Sequence, residues 1–136
     1  MRELIKILKV LSDESRLRVL NLLLERECCV CEVMQVMGIS QSKASRILSA
    51  LYDAGLLKLR REGRWALYSI DKDGLKEYMN EILTGVTRAF EGNYCAAQER
   101  ERLKNTERVG PGCVSESVNN GSPEVKHENS PFRLRA

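Results

Sequence analysis

The sequence predicts a mainly α-helical domain with one small β-hairpin, arranged as a winged helix-turn-helix. Three observations point there. Hydrophobic residues make up 43% of the 136 positions but aromatics only 5%, so the core falls to Leu, Ile, Val and Met, and a helix-rich domain is expected. Apolar residues recur at helical spacing through most of the chain before Gly92. Near the middle, two short strand-like runs flank a glycine, the mark of a hairpin.

Leu4, Ile5, Leu8 and Leu11 give the first ten or so residues a helical stripe. Ser12 or Asp13 can accept from the unpaired N–H groups of a second helix, with Glu14 facing its positive dipole end. Leu17, Leu20, Leu23 and Leu24 form that helix's stripe, ending near Glu25. The stretch Glu27-Cys28-Cys29-Val30-Cys31-Glu32 follows, holding three of the five cysteines. Val33, Val36 and Met37 suggest a short helix, closed by Gly38 in a left-handed cap.

Ser40 suits an N-cap for the next helix, whose inner face is Ala44, Ile47, Leu48 and Leu51. Its outer face carries Gln41, Ser42, Lys43, Ser45, Arg46 and Ser49, and Gly55 stops it. A short helix, a glycine turn and a helix starting with small polar and basic residues make a helix-turn-helix. The small side chains let that second helix lie deep in a DNA major groove, where Gln41, Ser42, Lys43, Ser45 and Arg46 reach bases and phosphates. Leu57 and Leu59, then Trp65, Leu67 and Ser69, read as two strands joined by Arg61-Glu62-Gly63-Arg64, with Gly63 supplying the turn angle. Lys58, Arg60, Arg61 and Arg64 make this hairpin basic, so Arg60, Arg61 and Arg64 are expected on the DNA backbone.

From about Asp73 a long helix is predicted, with Leu75, Tyr78, Met79, Ile82, Leu83, Val86 and Phe90 as an unbroken stripe that packs against a second copy of itself. Gly92-Asn93 breaks it. Three regions result: a DNA-binding and dimerisation domain over 1–93, a charged extension over 94–109, and a tail over 110–136 whose Gly, Pro, Ser and Asn content predicts disorder.

The net charge of +3 does not by itself mark a nucleic-acid binder; the clustering of the basic residues does. No apolar run is long enough to span a bilayer and the N-terminus is not a signal peptide, so a cytoplasmic location is expected. In that reducing compartment the cysteines are expected as thiols, ligands or redox groups rather than structural disulfides. An enzyme is not expected, for there is no nucleophile–base arrangement and no phosphate-cradling glycine loop. The single histidine, His127, lies in the tail.

Taken together, several segments resemble the ArsR/SmtB family of metalloregulatory repressors. They are Leu11-Ser12-Asp13-Glu14-Ser15-Arg16-Leu17-Arg18-Val19-Leu20, Gln41-Ser42-Lys43-Ala44-Ser45-Arg46-Ile47-Leu48, Ala54-Gly55-Leu56-Leu57 and Arg60-Arg61-Glu62-Gly63-Arg64-Trp65. The resemblance covers about the first two-thirds of the chain and is specific only in combination. It implies a homodimeric repressor that leaves double-stranded operator DNA when an inducer binds. The family's arsenical branch carries a Cys-Val-Cys motif at the start of the helix before the recognition helix, matched here by Cys29-Val30-Cys31. The chain departs from that pattern at Met34, where a further cysteine is frequent, at Cys28, where leucine is usual, and at Ile47, where many members carry histidine.

Thiolates are soft donors suited to Cd(II), Zn(II), Cu(I) and, by the same reasoning, As(III) or Sb(III). Zinc prefers four ligands; three adjacent cysteines without a histidine fit a three-coordinate metalloid better. As(III) or Sb(III) is therefore the expected inducer, with no organic cofactor. Cys29 and Cys31 are the expected ligands, Cys28 the first choice for a third and Cys95 the second. Within a helix, residues two apart point about 200° from each other, so joint use of Cys29 and Cys31 is expected to need the helix start to unwind. Two alternatives stand beside this reading: a repressor sensing oxidants or a soft metal such as Cd(II), and a thiol-metal carrier that does not bind DNA.

Overall fold

The computed structural model describes residues 1–108. The tail over 110–136, with Cys113 and His127, lies outside the described residues. Six helices and one hairpin follow in the order α1 (Arg2–Leu11), α2 (Glu14–Glu25), α3 (Val30–Met37), α4 (Gln41–Asp53), β1 (Leu57–Glu62), β2 (Trp65–Ile70), α5 (Glu77–Phe90) and α6 (Tyr94–Lys104). This is a winged helix-turn-helix, as predicted.

Local sequence explains most boundaries. The Asp13 carboxylate, not Ser12, caps α2, accepting from the Arg16 N–H at 3.0 Å. The Ser40 hydroxyl caps α4, accepting from the Lys43 N–H at 3.2 Å. Gly38 ends α3 at φ 67°, the left-handed region that a side chain would strain. Gly63 takes the same region at the hairpin tip (φ 65°). The antiparallel register runs from Leu57 opposite Ile70 to Glu62 opposite Trp65, leaving Gly63-Arg64 as a two-residue turn.

Three elements differ from expectation. In α1 the buried residues are Ile7, Val10 and Leu11, whereas Ile5 and Leu8 lie outside at 45% and 51% exposure. The long helix α5 starts at Glu77 rather than Asp73, and Leu75, Met79 and Leu83 of the stripe expected to meet a second copy lie in this chain's own core. The Asp71 carboxylate accepts from the Gly74 N–H (3.2 Å) and its carbonyl from the Leu75 N–H (3.1 Å), so the chain turns there and buries Leu75 before the helix begins. Finally, the segment read as a charged extension forms α6 and packs on α2 and α3.

That packing explains why α2 is buried on nearly every side, at Val19, Leu20, Asn21, Leu22 and Leu23. The buried Asn21 amide donates to the Ala96 carbonyl (3.2 Å) and accepts from Arg100 (2.9 Å). The buried Glu99 carboxylate pairs with Arg18, whose Nε lies at 2.7 Å. Arg26 donates to the Leu103 carbonyl (2.9 Å) and to Thr106 (3.2 Å). Among the described residues, no helix is long and apolar enough to cross a membrane.

Candidate thiol site and nucleic-acid interface

The recognition surface follows from α4. Ala44, Ile47, Leu48 and Leu51 are buried as its inner face. Ser42, Lys43, Arg46 and Ser49 are exposed on the other side, while Gln41 and Ser45 are half-buried and hydrogen-bonded to each other (3.2 Å). In the wing, Lys58, Arg60, Arg61 and Arg64 are all exposed. They are not equivalent. Arg60 is gripped by Glu27, with Nε and Nη2 donating at 3.1 and 2.7 Å, and by Glu62 at 3.1 Å. The Arg60 hydrogen bond holds the Glu27 carboxyl below its usual range.

The thiols sit directly behind this surface. α3 begins only at Val30, so Cys29 is its N-cap with extended backbone (φ −98°, ψ 170°). That one-residue difference matters. An extended Cys29 swings its side chain back over the helix, and its sulfur lies 2.8 Å from that of Cys31. The pair therefore meets with the helix intact, contrary to the expected unwinding. Glu32 fixes the cap: its buried carboxylate accepts from the Cys29 N–H (2.9 Å) and is held by Arg26 (3.0 Å) and Arg108 (3.3 Å).

Cys28 belongs to a different environment. It pairs with β2 through its N–H to the Tyr68 carbonyl (3.0 Å) and the return bond from Tyr68 (2.9 Å). Its thiol faces the Arg26 carbonyl at 3.4 Å and packs in the main core. Cys29 and Cys31 form a second small apolar cluster with Leu67, and Trp65 packs against it. Cys95 is exposed in the first turn of α6, electrostatically next to Arg18 rather than to the pair. Among the described residues, no group of three or more Cys, His, Asp or Glu is placed to hold one metal ion.

Cys28 and Cys29 are poor acids. Burial pushes the Cys28 thiol up to about 12. The hydrogen bond with Cys31, reinforced by burial, pushes Cys29 well above the ordinary thiol range.

Comparison with known proteins turns this geometry into an assignment. The profile of bacterial regulatory proteins of the arsR family matches residues 13–58, spanning α2 to the start of β1. The arsenical resistance operon repressor of Staphylococcus xylosus is 35% identical over 94 residues, covering 69% of this chain and 89% of the repressor. The chain belongs to the ArsR family. The arsenic resistance transcriptional regulator ArsR1 of Pseudomonas putida is 37% identical over 93 residues, covering 65% of this chain and 72% of that protein. Among solved structures, the homodimeric winged helix-turn-helix DNA-binding domain of a Mycobacterium bovis protein superposes with a TM-score of 0.57 at 27% identity, covering 68% of this chain and 82% of that domain. As an ArsR-family member the chain is a DNA-binding regulator of transcription, and its relatives are regulators rather than enzymes.

Sequence reading missed four contributors to the site. Trp65 and Leu67 roof the thiol pair, and Arg26 with Arg108 secures Glu32 from below. The strand alternation already put Trp65 and Leu67 on one face. Nothing in the sequence pattern ties Arg108 to Glu32.

Proposed function

We propose that this protein is a homodimeric repressor of an arsenical resistance operon, released from its operator when As(III) or Sb(III) bonds to Cys29 and Cys31. The observation that carries the reading is the buried pair of sulfurs 2.8 Å apart at the cap of the helix that supports the recognition helix. The arsenic-resistance names of its relatives agree with it. Cys28 is the first choice for a third donor, which requires its sulfur to leave the Arg26 carbonyl; Cys95 is the second. The dimer is supported by the homodimeric relative and by exposed Ile5 and Leu8 on α1, which a partner would cover.

The acid–base state of Cys29 favours a metalloid over a divalent cation. Arsenous acid, As(OH)3, is neutral. Each As–S bond formed from a protonated thiol expels one hydroxide, which leaves with the thiol proton as water: As(OH)3 + 2 RSH gives (RS)2AsOH + 2 H2O. Nothing is lost by starting from a protonated thiol such as Cys29, which its hydrogen bond with Cys31 and its burial hold well above the ordinary thiol range. A divalent cation must instead expel the protons into solvent. We therefore expect As(III) affinity to be flat across neutral pH. Cd(II) affinity should rise by about tenfold or more per pH unit, because at least one thiol proton is released. Isothermal titration of the reduced protein with each ion at several pH values checks this. A steep rise for As(III) with a flat Cd(II) profile would reverse the assignment.

For DNA, Arg46 is the exposed cation on the outer face of α4, with Lys43 one turn before it; Gln41, Ser42 and Ser45 complete the groove surface. Arg60, Arg61 and Arg64 are assigned to the backbone. Arg46→Ala is expected to weaken operator binding by about 1–3 kcal/mol if Arg46 reads a base, or to reduce the salt slope by about one if it neutralises a phosphate. A salt titration of operator affinity distinguishes the two; an unchanged curve would remove Arg46 from the interface.

A further inference from the structure

The thiol stretch is bridged to the wing at one residue. The backbone of Cys28 makes both hydrogen bonds of an antiparallel bridge with Tyr68, on the edge of β2 away from β1. The register then fixes which side chains share a face. Residues opposite each other in an antiparallel pair point the same way. Arg60 lies opposite Leu67, and Glu62 opposite Trp65. One face of the hairpin thus presents Arg60, Glu62, Trp65 and Leu67. That face meets the thiols: Leu67 and Trp65 pack on Cys29 and Cys31, and Arg60 reaches across to Glu27. On the opposite face, Tyr68 packs edge-on against Tyr52 of α4, ring centres 6.4 Å apart.

The pair has no room to accept a ligand without moving this roof. Leu67 and Cys29 are fully buried, and Cys31 is 6% exposed. With a metal–sulfur bond of about 2.3 Å and an angle between roughly 95° and 110°, two sulfurs on one centre stand about 3.4–3.8 Å apart. Two sulfurs in ordinary non-bonded contact stand near that spacing, so what the cluster must accommodate is chiefly the bound atom itself. Close-packed interiors answer such a demand by discrete displacement rather than by compression. Among the elements enclosing the pair, the hairpin carries an outer strand that is exposed from Lys58 to Glu62.

We propose that Trp65 and Glu27 are positioning residues for induction: ligand bonding at Cys29 and Cys31 pushes Trp65 outward and breaks the Glu27–Arg60 grip, re-aiming the wing's cations away from DNA. This rests on the thiol-sensing reading above and adds a route to it, through the wing as well as through α3 and α4. In the resting protein Glu27 orients Arg60 rather than competing with DNA for it, since both residues are partly exposed and such pairs exchange readily.

Trp65 is the only tryptophan in the chain, so its fluorescence reports directly on the roof. The experiment uses the full reduced chain and a labelled operator duplex. Three quantities are read: As(III) binding from thiolate–arsenic ultraviolet absorbance, Trp65 emission, and operator Kd with and without As(III). The ratio of the two Kd values measures coupling. In the wild type, As(III) should shift Trp65 emission with the same midpoint as the absorbance. In Glu27→Gln and in Trp65→Leu, As(III) should still bind, but the coupling ratio should fall by about tenfold, well inside the usual range of allosteric coupling. Glu27→Gln removes only a partly exposed charge, so it serves where Trp65→Leu fails to fold. An unshifted Trp65 signal during full operator release, or a wild-type coupling ratio in Glu27→Gln, would overturn the proposal while leaving thiol sensing intact. Failure of As(III) to release the wild-type complex would instead remove the thiol-sensing reading, and this one with it.

Discussion

Cys29→Ser combined with Cys31→Ser should leave operator affinity at the wild-type level and remove its response to As(III). Serine keeps the side-chain size but offers a hard oxygen to a soft centre. It is also a better N-cap than cysteine, so α3 and its glycine-capped end should survive the change at position 29. The small cluster with Leu67 and Trp65 receives two hydroxyls that can bond to each other as the sulfurs do. The whole coupling, about 5- to 150-fold in operator affinity for typical allosteric systems, is therefore expected to vanish. Anisotropy of a labelled operator against As(III) concentration measures it. Undiminished release by the double variant would show that the inducer acts elsewhere on the chain.

The second large effect concerns the fold. Arg18→Ala should destabilise the protein by about 2–3 kcal/mol, below the about 3–5 kcal/mol of a fully buried pair because Arg18 is one-third exposed. The change strands Glu99, which is 2% exposed. Its Oε2 would retain only Arg102 at 3.8 Å, and its Oε1 already has no hydrogen-bond partner among the described residues. An uncompensated buried carboxylate weakens the docking of α6 on α2. Because Glu32 is secured by Arg108 just beyond α6, loosening that helix also reaches the thiol cap. Thermal unfolding should show a midpoint lower by roughly 8–20 °C. A midpoint within a degree or two of the wild type would mean that α6 contributes little to stability.

The contrast between these two regions shows what the sequence made legible. The helix-turn-helix was readable because its signals are local: Gly38 and Gly63 sit where positive φ is required, Ser40 caps, and Ala44, Ile47, Leu48 and Leu51 mark one face. The α6 packing was not, because its buried positions are Ala96, Glu99 and Leu103, which read as a weak stripe in a charged run. Their partners, Arg18 and Asn21, lie on a helix whose leucines already suggested a different inner face. In α1 two apolar stripes compete, and only tertiary packing shows that Ile7 and Val10, not Ile5 and Leu8, turn inward.

The thiol site was located in the sequence, but its geometry was not. Whether Cys29 lies inside α3 or caps it is a difference of one residue. Inside the helix its sulfur would point away from Cys31; as the cap it touches it. That difference also changes the mechanism. The strain of ligand binding need not come from unwinding α3. It can come from seating a bound atom in the closed cluster beneath Trp65.

Release of DNA by As(III) bonding to this pair is the step on which the proposed function rests. Its most direct measurement is the anisotropy of a labelled operator duplex bound to the reduced wild-type chain, titrated with As(III) while thiolate–arsenic absorbance is recorded in the same cuvette. The absorbance should grow as the anisotropy falls, with a common midpoint and stoichiometric saturation. Saturated absorbance with the operator still bound would contradict the proposed function.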